Sequence, residues 1–228
     1  MRVFRRIARL SSVAAMLFLG VNYSWTHAAL AYAVNETQCD GVLEEKARSA
    51  VIALFGSTTA NPIIVCLNQP TLGLRVDHGS IRFAPLLPSI IVLGPEGQNI
   101  DVASHEFSHA ELRQRTSVLL RTYRIPTWFD EGLAMQLDHR QDYTDVALRR
   151  YLLQSEIEPI RLPSLSRPSG FYVQGDVGKA HYAFANCVVR DWLTGNHKGL
   201  NSLIDQVGWF QKFPTDQFDQ SESICLTP

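Results

Sequence analysis

Five consecutive residues, His105-Glu106-Phe107-Ser108-His109, form the pattern H-E-x-x-H. Two imidazoles four residues apart with a carboxylate beside the first can hold a zinc ion next to a general base. On an α-helix, His105 and His109 stand roughly 40° apart in azimuth and about 6 Å apart in rise, so both point at one spot. Glu106 lies roughly 60° from His109 on the neighbouring strip, able to move a proton there without being a ligand. A catalytic zinc takes three protein donors and keeps one position open. The third donor must come from further along the chain. Leu112 and Arg115 occupy the positions where the longer pattern H-E-x-x-H-x-x-G-x-x-H has Gly and His, so it is not met here. Further along lies the run Ile125-Pro126-Thr127-Trp128-Phe129-Asp130-Glu131-Gly132-Leu133-Ala134. Pro126 suits a helix start, and a helical segment from Trp128 to Leu137 would turn Glu131 toward the histidines. Asp130 is the competing third donor, or else a carboxylate that orients a histidine.

The elements around these residues are legible in outline. Gly41 to Phe55 reads as a helix with the stripe Leu43, Ala47, Ala50 and Leu54, closed by Gly56. Three β-branched runs come next, Pro62 to Leu67, Ser80 to Ala84 and Ser89 to Leu93. Pro85 and Pro88 place the latter two at an edge or a kinked connection rather than at a sheet centre. Gly94-Pro95-Glu96-Gly97 turns the chain, and Asn99 or Asp101 caps the helix bearing the histidines. A strand followed by that helix would let an extended peptide lie along the strand edge, over the metal. Tyr143 to Gln154 reads as a further helix, and a Pro-rich connection from Glu158 to Gly170 is expected to rim the cleft. Asp176 to Leu193, ending at Gly195, is a long apolar helix with the stripe Ala180, Phe184, Val188 and Trp192. Leu200 to Val207 is a short helix, and the tail from Phe213 to Pro228 mixes aromatics with acids. His27, His78, His139 and His197 have no partner spacing and read as surface residues.

The 228 residues are 46% hydrophobic and 19% charged, enough for one domain with a core of its own. A net charge of −1 leaves no electrostatic footprint for nucleic acid. There is no internal repeat and no low-complexity run. Arg2, Arg5, Arg6 and Arg9 precede the apolar stretch Val13 to Val21, and Ala31-Tyr32-Ala33 fits a cleavage site. Residues 1–33 are therefore expected to be a signal peptide or an uncleaved N-terminal anchor, and residues 34–228 a single exported domain, periplasmic or secreted. Contact with a membrane is expected only if the segment is an anchor. In an oxidising compartment Cys39, Cys66, Cys187 and Cys225 suggest two disulfides, and locality favours Cys39–Cys66 and Cys187–Cys225. A buried free thiol at Cys187 is the other reading. None of the four has the spacing of a zinc knuckle.

HEFSH followed by WFDEGLA resembles the gluzincin metallopeptidases, the thermolysin- and aminopeptidase-like clan, and is most similar to the small bacterial peptidase MA-like proteins. The resemblance covers roughly Ile90 to Leu203. It implies an α+β zincin-like fold, with a small N-terminal mixed sheet and edge strand, then the H-E-x-x-H helix and a mostly helical C-terminal part. It implies Zn2+ held by His105, His109 and Glu131, and hydrolysis of a peptide or protein substrate by a metal-activated water with Glu106 as general base. In aminopeptidase-like relatives a tyrosine early in the helix matching Asp176 to Leu193 donates to the developing oxyanion. Tyr182 takes that place, with His181 as a second candidate donor; a packing tyrosine is the plainer reading. The interval from His109 to Glu131 is longer than in the best-known members and implies an inserted turn around Arg121 to Pro126. No G-x-M-E-N motif is present, so aminopeptidase action is not implied. The alternative within reach is a module that binds zinc without catalysis and serves peptide or envelope partners.

Overall fold

The structure is a computed structural model and describes residues 39–67, 78–81, 88–116, 125–154, 159–195, 199–208 and 212–227. The targeting segment, His27, His197, the second half of the run Ser80 to Ala84 and most of the turn from Arg121 to Pro126 lie outside these residues. Among them the fold is mixed α+β and mostly helical.

Helix α1 (Gly41–Phe55) starts where the Asp40 side chain accepts from the Val42 N–H at 3.0 Å. It stops at Gly56, whose φ of 76° is the left-handed conformation that glycine adopts without strain. Its buried face centres on Ala47, Val51 and Phe55, with Leu43, Ala50 and Leu54 on the flank. The face is rotated from the expected stripe, because the large Phe55 ring, not Leu54, takes the deepest place.

Strands β1 (Ile63–Cys66), β2 (His78–Ile81) and β3 (Ile90–Leu93) form a mixed sheet in the order β1-β3-β2. β3 runs parallel to β1, with Ile63 opposite Ile90, and antiparallel to β2, with Ile81 opposite Ile90. The run Ser89 to Leu93 is therefore the central strand and not an edge. Pro88 precedes the strand, so its missing N–H removes no bond from the ladder. Ser89 O instead accepts from the Ile63 N–H, extending the parallel pairing. The strand next to the histidine helix in sequence offers no free edge, and the edge that packs near that helix is β2.

A 3-10 turn (Pro95–Gly97) leads to α2 (Ile100–Arg115), capped by Asn99 through the Val102 N–H at 3.0 Å. Every residue of α2 from Val102 to Leu112 is buried, although Ser104, His105, Glu106, Ser108, His109 and Glu111 are polar. A helix so polar is buried all round only if its polar groups find partners inside the molecule. Helix α3 (Thr127–Ala134) continues as a 3-10 turn (Met135–Leu137), and a second turn (Gln141–Tyr143) precedes α4 (Asp145–Leu152). After the one-turn α5 (Pro168–Phe171) comes α6 (Gly175–Gly195), in which Ala180, Phe184, Val188 and Trp192 are buried as expected. Helices α7 (Gly199–Gly208) and α8 (Asp219–Cys225) complete the chain, with a 3-10 turn (Thr215–Phe218) before α8.

The tail has a packing role. Phe213 and Phe218 close over Trp128 at ring separations of 5.7 and 5.0 Å, and Phe218 stacks on Trp192 at 4.8 Å. These rings pack on α3 through Trp128. Disulfides Cys39–Cys66 and Cys187–Cys225 join the pairs expected from locality, and no described cysteine is free. They close loops with separations of 27 and 38 residues, a constraint of about 3–4 kcal/mol each on the unfolded chain. Two such bridges fit an oxidising, extracellular environment. Among the described residues no helix is long and apolar enough to cross a membrane.

Candidate metal centre

The helix geometry of α2 delivers His105 and His109 to one side of the helix, with their Nε2 atoms 3.2 Å apart. Glu131 comes from the first turns of α3, which crosses α2 there. Its Oε2 lies 3.4 Å from His105 Nε2 and 3.5 Å from His109 Nε2. All three side chains are buried, and among the described residues they form the group that could hold a metal ion.

Three donors around a tetrahedral ion at about 2.0–2.1 Å would sit about 3.3 Å from one another. The observed 3.2, 3.4 and 3.5 Å describe that triangle. The hydrogen bonding fits as well. Glu131 Oε2 is buried without a hydrogen-bond partner, aimed at the point where the two imidazoles meet. A buried carboxylate oxygen left bare costs about 1–3 kcal/mol or more unless a ligand satisfies it. The residues present therefore fit a metal ion.

The outward ring nitrogens face carboxylates, the arrangement that orients metal-ligating histidines. His109 Nδ1 is 2.6 Å from Asp130 Oδ1, and His105 Nδ1 is 3.5 Å from Asp138 Oδ2. Asp130 thus stands on the far side of the His109 ring from the point of convergence. Arg140 holds Asp138 in turn, with Nη2 2.5 Å and Nε 2.9 Å from Oδ2. These contacts set the electrostatics. Burial lowers the affinity of both imidazoles for a proton, but Asp138 and Glu131 beside His105, and Asp130 and Glu131 beside His109, outweigh it and raise both pKa values. Burial likewise pushes Glu131 up, yet the two histidines hold it well below the usual carboxylate range. Asp138, opposed by burial and favoured by His105 and Arg140, is also held low.

No family model, curated protein or solved structure matches the chain.

Glu106 is buried next to His105 on α2. Tyr182, on α6, packs its ring against Phe171 at 4.9 Å and Tyr143 at 5.4 Å. Burial first, then the charge of Glu131, and to a smaller degree Tyr143 and Glu106, push its phenol well above the ordinary value. The charges of Glu131 and Glu106 thus act on the Tyr182 phenol. His181 points elsewhere: its Nδ1 bonds the Phe171 carbonyl at 2.9 Å. His139 is exposed, as expected.

Gly132 explains the glycine after Glu131. A Cβ there would lie 2.4 Å from the Ala185 carbonyl oxygen and 2.7 Å from Val189 Cγ2, so α3 and α6 meet at the glycine backbone. Gln136 locks the same crossing by donating to Gly132 O and to Asn186 Oδ1, at 2.8 and 2.9 Å.

Two contacts have no counterpart in the sequence pattern, those of Asp138 and Tyr172. The Tyr172 hydroxyl donates to Glu131 Oε1. Both residues sit in irregular backbone after a short helical turn, where no periodicity announces a direction.

Proposed function

We propose that this protein is an exported zinc-dependent peptidase that hydrolyses peptide bonds with Glu106 as general base. The observation that supports it most is the triangle of His105 Nε2, His109 Nε2 and Glu131 Oε2, with its bare carboxylate oxygen. Three nitrogen and oxygen donors with an open fourth position are the pattern of a catalytic rather than a structural zinc. When bound, zinc supplies a Lewis acid and brings the pKa of a coordinated water toward neutrality.

The chain's own residues do the rest. Glu106 accepts the proton of the attacking water on its carboxylate and delivers it to the amine nitrogen as the peptide bond breaks. Tyr182 donates its hydroxyl proton in a hydrogen bond to the substrate carbonyl oxygen as charge develops there. Asp130 holds His109 Nδ1 at 2.6 Å and Asp138 stands 3.5 Å from His105 Nδ1, which would leave both Nε2 atoms for a metal. An extended substrate segment would align along β2, the edge strand beside α2.

The test is a digest of a proteome-derived peptide mixture by the wild-type protein, with and without a chelator, and by Glu106→Gln. Cleavage that stops with chelator and falls by about 10²–10⁴-fold in Glu106→Gln, with zinc still bound, supports the reading. Zinc uptake without any cleavage by the wild type would assign the protein to non-catalytic peptide binding.

A further inference from the structure

We infer that residues 167–172 form a clamp on Glu131, in which Tyr172 is a positioning residue that keeps this carboxylate a one-oxygen ligand. The inference rests on the metal site proposed above. A carboxylate with both oxygens free can close on a metal with either or both. Here Glu131 Oε1 accepts from the Tyr172 hydroxyl, while Oε2 faces the two Nε2 atoms with no hydrogen bond of its own. One oxygen is held by the protein and the other is left for the metal, which preserves the open coordination position that hydrolysis requires.

Tyr172 is 52% exposed, with its ring edge-on to Phe171 at 5.4 Å; its hydroxyl nevertheless reaches Glu131, a residue that is 4% exposed. The backbone that carries it is fixed from three directions. The Tyr172 N–H donates to Pro168 O at 2.9 Å, closing the turn of α5. Gly170 sits so near the preceding turn that a Cβ would lie 2.1 Å from Ser164 O. That preceding turn accepts from the first helical amides of α3, Thr127 N–H to Ser166 O at 3.1 Å and Trp128 N–H to Leu165 O at 3.2 Å. From α6, the His181 Nδ1–H donates to Phe171 O at 2.9 Å, immediately before Tyr172. The clamp is thus tied to the helix that carries the ligand and to the helix that carries Tyr182. His181 acts at a distance, as the anchor of Tyr172.

The experiment measures zinc affinity by competition with a chromophoric chelator, and the visible spectrum after cobalt substitution, on the full chain. Tyr172→Phe should bind zinc about 10–100-fold more weakly, as loss of a partner behind a metal ligand does elsewhere. Its cobalt bands should weaken toward a higher-coordinate spectrum as Glu131 closes with both oxygens, a change that loss of stability alone would not produce. His181→Leu should shift affinity the same way, and His181→Asn, which keeps a donor toward Phe171 O, should restore it. A Tyr172→Phe affinity within twofold of wild type, with an unchanged cobalt spectrum, would overturn the clamp. A wild-type protein that takes up no zinc would overturn the metal site itself.

Discussion

Glu111 and Glu131 are buried carboxylates on adjacent helices, exposed by 0% and 4%. Around Glu111 the chain supplies a full set of donors. Thr58 Oγ1, the Thr59 N–H and Oγ1, the Ala60 N–H and Arg115 Nε all reach it between 2.6 and 3.0 Å. Burial alone would raise its pKa, but the Ala60 amide and Arg115 lead a group that holds it below the ordinary value. The carboxylate is thereby a rivet between α2 and the segment after α1. Glu131 is equally far from water but has, among the described residues, one donor, Tyr172, and a bare Oε2 facing two imidazoles. The first is satisfied by its own chain; the second is half-satisfied, opposite two further donor atoms, and could take a ligand there.

Exchanging each carboxylate for its amide breaks this contrast most directly. Glu131→Gln should lose stoichiometric zinc, and Glu111→Gln should keep it, as elemental analysis after gel filtration will show. Glu111→Gln should instead lower stability by about 3 kcal/mol in urea unfolding, because Arg115 loses its buried partner. Gly132→Ala tests whether the position of Glu131 depends on the close approach of α3 and α6. Overpacking against Ala185 and Val189 should cost about 1–3 kcal/mol in the same measurement and weaken zinc binding with it. Asp138→Asn should reduce zinc affinity about tenfold, read by chelator competition, and should also lower the stability of the metal-free protein, because Arg140 loses its ionised partner.

The pH dependence of stability should separate the two carboxylates at finer grain. Glu111 has a folded pKa below its ordinary 4.5, so its contribution is present above that value and is lost as pH falls through the folded one. Unfolding free energy measured from pH 6 down to pH 3 should decline less in Glu111→Gln than in the wild type.

Much of the site is legible in the sequence because its parts are local. The spacing of His105 and His109 fixes their common direction on any helix, and the segment around Glu131 is a second local motif. The cysteine pairs can be read from separation, and Asn99 from its place before a helix. What escapes depends on where irregular chain travels. Asp138 comes after the 3-10 turn that ends α3, and Tyr172 after the single turn of α5, so neither has a helical face to reveal its direction. Glu111 does carry a signal, its i,i+4 relation to Arg115, but its main partners are backbone amides around Thr59, which no residue pattern announces. The order of the sheet departs from expectation at Pro88 because a proline bordering a strand and one within it look alike in sequence.

On the proposal above, His105, His109 and Glu131 hold a metal through the three atoms that converge in the structure. Crystals of the protein as purified, measured above and below the zinc absorption edge, test it most directly. One strong anomalous peak is expected within about 2.0–2.2 Å of His105 Nε2, His109 Nε2 and Glu131 Oε2, with Glu131 Oε1 still on Tyr172. No peak there after zinc is supplied, with the three side chains in contact as they are now, would contradict it.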